Sequence, residues 1–298
     1  MHIVLFDRND RLGGNLLVYI AQVVFAHKNR YFIMFKDDCR ENYKYHDTKF
    51  ISFIFNYIDQ YNESLRKNSI IDDGTLYKFK DPQDFISIVS IVVQNIDIDL
   101  FSYFQQHIYP HINYELDTIT SKFTQKIPFD INKTILVHLR LDDISHEADY
   151  NGFICCEYYT QKMHKKEKCV MEYYGSDYDE WANCQSPLSK EKLTNVINFA
   201  KSLYPDHKVL LLTSPTSDTS FLNYDVIKND DAEFDLFLLA KCSVSILSRS
   251  IFAISTLFLN NIHNKKKIFI PLWGHITCCG LDTNYDNIQK TKRIHYFF

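Results

Sequence analysis

The chain has 298 residues, with 33 basic against 37 acidic, 46% hydrophobic and 23% charged. At roughly 150 residues per domain this predicts two domains, each able to hold a core without a disulfide or metal, and the composition excludes a disordered chain. The net charge of −4 and the shortness of the basic runs at 164–168 and 265–267 exclude nucleic acid as a partner.

No apolar run approaches the ~18 residues of a membrane span. The two longest, 16–26 and 86–93, are broken by Gln22 and Ser90. The opening reads as a strand followed by Asp7, Asp10 and Arg11, which does not resemble a secretory leader. Eight cysteines are scattered at 39, 155, 156, 169, 184, 242, 278 and 279 without paired CxxC spacing. Zinc is therefore not expected, and reduced thiols are. These features predict a cytoplasmic type of protein, with peripheral contact to a membrane surface left open.

In chain order, residues 1–6 (MHIVLF) predict a buried first strand, Arg11-Leu-Gly-Gly-Asn15 a tight turn, and residues 16–27 an apolar helix. Residues 31–35 (YFIMF) predict a second strand, so the chain opens as a βαβ unit. Helices are predicted at 50–61, 84–96 and 100–112 from length and apolar density. The polar tract 126–133, with Pro128, separates a first domain, 1–130, from a second, 131–298.

In the second half, predicted strands at 134–140, 208–213, 243–247 and 267–271 alternate with predicted helices at 186–204, 231–242 and 250–261. Such alternation predicts a doubly wound parallel sheet. Between 145 and 185 the pattern gives way to polar sequence with Tyr and Cys, the length of a functional loop or an insertion.

Three constellations offer candidate chemistry. Gly13, Gly14 and Asn15 stand between strand and helix, where glycine admits a close ligand and helix N–H groups attract an anion. Their spacing matches neither G-x-G-x-x-G nor a P-loop, so a plain turn is the competing interpretation. His138 and Arg140, within Val137-His-Leu-Arg-Leu-Asp-Asp143, stand two apart and so share a face at a strand's carboxyl end. A guanidinium there can grip phosphate oxygens in two-pronged fashion, or it can pair with Asp143. Asp235 lies near a helix start, and Ser248 and Ser250 precede another helix, with Ser250 at an N-cap position.

In this order the three sets resemble the α-1,2-fucosyltransferases of glycosyltransferase family 11. That family opens with R-L-G-N-Q before a helix containing Y-A, similar to Arg11-Leu-Gly-Gly-Asn15 and then Tyr19-Ile-Ala21. Its central V-H-I-R-R-G-D and later Tyr-Tyr pair are similar to Val137-His-Leu-Arg-Leu-Asp-Asp143 and Glu157-Tyr-Tyr159. Its late segment is similar to Ile246-Leu-Ser-Arg-Ser-Ile-Phe252, and its P-x-x-W to Pro271-Leu-Trp-Gly. The chain departs from the family at Leu141 and Asp142, which replace Arg and Gly. It also lacks the Trp pair at Phe252-Ala-Ile-Ser255 and an Asp-Asp at Thr213-Ser-Pro215.

The resemblance implies a GT-B-type α/β fold of two Rossmann-like domains facing a cleft. The first would bind the acceptor and the second the nucleotide sugar. It implies an inverting, metal-independent glycosyltransferase that moves fucose from GDP-fucose to a glycan hydroxyl in α-1,2 linkage, with no cofactor besides that donor. Arg140 would hold the β-phosphate, with Ser248 and Ser250 as further donors. His138 and Asp235 would contact the nucleoside, Asp235 pairing with guanine, and Gly13, Gly14 and Asn15 belong to the same donor-binding set. Candidates for the base are Asp142, Asp143 and Glu147, Asp143 being also placed to orient Arg140. Two alternatives stay open. One is a metal-dependent GT-A transferase using Asp97-Ile-Asp99 or Asp177-Tyr-Asp179. The other is a sugar-nucleotide- or glycan-binding relative without turnover.

Overall fold

The computed structural model describes residues 1–7, 12–79, 100–124, 127–141, 188, 190–220, 222–248, 250–259, 267–271 and 294–297. They fall into two compact units. The first is drawn from Met1–Lys126 and Leu257–Ile262, the second from Ile127–Thr256, His263–Thr277 and Tyr285–Phe298.

The first unit begins with β1 (His2–Val4), α1 (Leu12–Asn29) and β2 (Phe32–Met34), the two strands parallel and in register His2 to Phe32. A parallel bridge between His2 and Leu76 adds a short third line of backbone on the free side of β1. Every residue of α1 from 12 to 26 is buried, so this helix needs no polar face. The helix starts at Leu12, which puts Gly13 and Gly14 inside its first turn and not in a linking turn. Burial on all sides outweighs the low helix propensity of glycine there.

Two buried amides fasten the ends of this small sheet. Gln22 donates through Nε2 to the carbonyl of Phe6 and accepts from its N–H, at 2.9 and 3.0 Å. Asn62 does the same for Ile33 at 2.7 and 3.0 Å, taking the place of a neighbouring strand. Asn62 comes from α2 (Lys49–Lys67), whose buried positions Phe50, Ile54, Ile58, Tyr61 and Leu65 recur at helical spacing. The helix predicted at 100–112 is instead two, α3 (Leu100–His107) and α4 (Tyr109–Thr124). Pro110, in the first turn of α4, has no N–H to continue the earlier helix, and its ring crowds the preceding turn.

The second unit is a six-stranded sheet in which every pairing is parallel. Its strands are β3 (Thr134–His138), β4 (Lys208–Thr213), β5 (Asp225–Lys228), β6 (Val244–Ile246), β7 (Lys267–Pro271) and β8 (Ile294–Phe297). Their order across the sheet is β5-β4-β3-β6-β7-β8. Helices α5 (Lys190–Leu203), α6 (Ala232–Lys241) and α7 (Ile251–Ser255) lie between successive strands. Ile135, Val137, Leu211, Val244 and Ile246 pack with Leu193, Val196, Ile197 and Ala200 of α5 on one face. The alternate residues face α6, as the hydrogen bond from Ser245 Oγ to the carbonyl of Leu239 shows.

The helix predicted at 250–261 ends after Ser255. The hydroxyls of Ser255 and Thr256 donate to the carbonyls of Phe252 and Ala253 at 2.8 and 2.6 Å, side-chain bonds that compete with the helical ladder. Strand β5, a four-residue edge strand, had no counterpart among the expected elements. Neither of the described cysteines, Cys39 and Cys242, is in a disulfide. Among the described residues no helix is long and apolar enough to cross a membrane.

Candidate functional site

Counted within the second unit, the strands run 3-2-1-4-5-6, the order of doubly wound nucleotide-binding sheets, and the order reverses between β3 and β6. Ligands of such sheets bind outside the carboxyl ends of the strands at that reversal. Pairing of β3 with β6 stops at Val137 and Ile246. Beyond it, each strand continues with its outer neighbour. Leu139 N donates to Leu212 O at 2.8 Å, Thr213 Oγ1 donates to Leu139 O at 3.0 Å, and Leu247 N donates to Phe269 O at 2.9 Å. The two central strands thus part at their carboxyl ends.

His138 and Ser248 bridge that parting. His138 Nδ1 and Ser248 Oγ are 2.7 Å apart, with the side chains 8% and 5% exposed. The ring of Phe252 in α7 lies 5.7 Å from the imidazole between centroids, at 31°. Arg140 is half-buried. Leu139 and Leu141 both join the core beneath α5, so Arg140 falls on the opposite face with His138. Ser250 is buried and occupies the N-cap of α7, though its side chain makes no capping bond; its N–H donates to Ser248 O at 2.9 Å.

Asp235 lies in the first turn of α6, also on the carboxyl side of the sheet, since that helix follows β5. The helix is capped by Asp231, whose Oδ1 accepts from Phe234 N at 3.0 Å. Asn229 Nδ2 donates to Asp235 Oδ1 at 2.5 Å. Burial pushes the Asp235 carboxyl up to about 7, with the Asp231 charge adding to the rise and the Asn229 bond opposing it.

His138, Arg140, Ser248, Ser250 and Asp235 therefore all lie on one edge of one sheet. Gly13, Gly14 and Asn15 are buried in α1 of the first unit. Asp142, Asp143 and Glu147 lie outside the described residues, as do both D-x-D tripeptides, at 97–99 and 177–179. Among the described residues no group of three or more His, Cys, Asp or Glu converges to hold a metal ion. Sequence reasoning passed over Asn229. The run Asn229-Asp-Asp231 just before a helix is the available signal, because an Asx turn followed by an N-cap is what such a run forms. Indeed Asn229 Oδ1 accepts from Asp231 N at 2.7 Å. Phe252 was noted only as a departure from the family pattern, and nothing local marks it as a partner of His138.

Comparison with protein-family models, with curated proteins and with solved structures returns no match.

Proposed function

We propose that the second unit binds a sugar nucleotide at the reversal between β3 and β6. On this proposal the chain is an inverting, metal-independent GT-B-type glycosyltransferase that moves fucose from GDP-fucose to a glycan hydroxyl, in α-1,2 linkage. The observation that carries it is the His138–Ser248 bridge at the point where the central strands part, with Arg140 on the same face. The ordered motif resemblance supplies the donor and the linkage.

In the proposed reaction the bond from the sugar's anomeric carbon to the β-phosphate oxygen breaks, and its electron pair leaves on the diphosphate. A new bond forms from the acceptor oxygen, whose proton passes to a carboxylate, for which Asp143 and Glu147 are candidates. Negative charge grows on the departing diphosphate. The Arg140 guanidinium would neutralise it through paired charge-assisted hydrogen bonds, most strongly where water is excluded. Asp235 would accept from guanine when ionised. The acceptor is assigned to the first unit.

The test is a set of thermal shifts with GDP, UDP and CMP, since a ligand that binds the native state raises its melting temperature. GDP is expected to give the largest rise, and Arg140→Ala to weaken GDP binding by about tenfold or more. Equal binding of GDP by Arg140→Ala, or a preference for another nucleotide, would refute the assignment.

A further inference from the structure

Asn229 stands one residue beyond β5, whose last residue, Lys228, is paired with Thr213 of β4. Strand register therefore sets its place at the carboxyl edge of the sheet. Its side-chain amide joins two neighbours: Oδ1 accepts from Asp231 N at 2.7 Å, and Nδ2 donates to Asp235 Oδ1 at 2.5 Å. The first bond decides the sense of the second. A backbone N–H can only donate, so the amide oxygen faces Asp231 and the NH2 group is left to Asp235. Asp231 is fixed in turn, because its own side chain caps α6 at Phe234 N.

The same bond sorts the two oxygens of Asp235. Oδ1 is taken by Asn229, whereas Oδ2 accepts from none of the described residues, and Asp235 is half-buried. In the neutral carboxyl the carbonyl oxygen is the better acceptor, so Oδ1 stays with Asn229 and the proton sits on Oδ2. Oδ2 is thus the atom that changes from donor to acceptor when the group ionises.

We propose that Asn229 is a positioning residue that holds Asp235 by Oδ1 and presents Oδ2 to the base of the nucleotide. Without it, the carboxyl would be free to turn about its side-chain bonds. The charge of Asp231, the other charged group acting on it among the described residues, would then drive it away from that position. The hold on Asp235 stands on the unliganded structure alone, whereas the role toward the nucleotide rests on the proposed function.

Carbon-detected NMR of the full chain follows the Asp235 carboxyl, and proton–nitrogen spectra follow the Asn229 side-chain amide. In the parent protein the amide signal is expected to move with pH at the midpoint of the carboxyl. An Asn229 signal that ignores that titration overturns the proposal, and this measurement requires no variant to fold. Asn229→Ala should raise the Asp235 midpoint, because it removes a donor that favours the carboxylate. Asn229→Asp forms the same turn with Asp231 N but meets Asp235 with an acceptor, so it should raise the midpoint further. An unchanged midpoint in Asn229→Ala overturns the proposal equally.

GDP titration of the same samples reads the role toward the base. At pH 8, Asn229→Ala is expected to weaken GDP binding by about three- to tenfold, and Asn229→Asp by at least as much. In both, the rise of affinity with pH should move to higher pH. If Asn229 served only to form the turn, Asn229→Asp would bind GDP as the parent does, and that result refutes the role toward the nucleotide. A parent protein whose Asn229 amide titrates with Asp235 but which binds no GDP refutes the sugar-nucleotide assignment and leaves the positioning of Asp235 standing.

Discussion

Asn229 donates to Asp235 at 2.5 Å, and that bond is set against a burial that pushes the same carboxyl up to about 7. Burial prevails because one neutral donor does not replace the water a carboxylate loses. An unfolded aspartate titrates near 3.8, so between about pH 4 and pH 7 the folded protein holds a proton there that the unfolded chain does not. Stability is then highest below that window and declines as pH rises through it. Asp235→Asn, which removes the titration and keeps an oxygen for Asn229, should raise stability at pH 8 relative to the parent by ~2–4 kcal/mol and change little at pH 4. Urea unfolding midpoints at the two pH values check this, and an equal difference at both would contradict it. On the proposed function, GDP affinity should also climb about tenfold from pH 6 to pH 8 as the carboxylate forms.

Asp231 carries two effects that one substitution separates. Its side chain caps α6, and its charge adds to the rise of Asp235. Asparagine caps a helix about as well as aspartate but is neutral. Asp231→Asn should therefore lower the Asp235 midpoint while costing under ~0.5 kcal/mol of stability. Asp231→Ala should lower the midpoint too, but at a cost of about 1 kcal/mol from the lost cap. Titration of the Asp235 carboxyl by carbon-detected NMR, with unfolding curves for both variants, distinguishes charge from cap.

The sheet of the second unit was legible because its strands are short apolar runs bounded by polar turns. Residues 208–213 and 267–271 were delimited at their observed ends. Mixed α/β architecture with parallel sheets follows from strands alternating with helices, and the sequence pattern carried it. Strand β5 was not legible: DVIK alternates weakly and lies at the edge, where pairing with one neighbour places few demands on side chains. Nor could sequence show that pairing of β3 with β6 ends one residue before His138, since register is a relation between strands. The spacing of His138 and Arg140 was readable, but the Ser248 partner lies 110 residues away. Asn62 shows the same limit, a polar residue on the buried face of an amphipathic helix whose purpose appears only when β2 is placed beside it.

Asn62 supports a further prediction. Its amide satisfies both backbone groups of Ile33, which are buried with it. Asn62→Leu fits the apolar face of α2 but leaves an N–H and a carbonyl without partners. The expected loss is ~2–4 kcal/mol, because a stranded buried polar group forfeits its full hydration. Asn62→Asp keeps the acceptor for Ile33 N but sets a carboxylate against Ile33 O, so it should also destabilise, and more so at pH 8 than at pH 4. Denaturant unfolding of the two variants at both pH values is the check. A loss under ~0.5 kcal/mol in Asn62→Leu would mean that water reaches the sheet edge.

His27 titrates with the opposite sign from Asp235. Its Nδ1 lies 2.9 Å from the hydroxyl of Tyr103, and its ring lies against those of Tyr61 and His107. Burial lowers it to about 4, and the neighbouring charges of His107 and His111 add to the lowering. A histidine in the unfolded chain titrates near 6.5, so between pH 6.5 and pH 4 the unfolded chain binds the proton that the folded protein refuses. Stability from this site is present above pH 6.5 and drains away as pH falls toward 4. His27→Gln preserves a polar partner for Tyr103 without a titrating ring. It should make the decline between pH 6.5 and pH 5 shallower by ~1–2 kcal/mol. His107→Gln with His111→Gln should recover a smaller part of that difference, since they remove the repulsion but leave the burial. Unfolding midpoints across this range settle it: parallel curves for the parent and His27→Gln would show that His27 protonates as readily in the folded protein as in the unfolded chain.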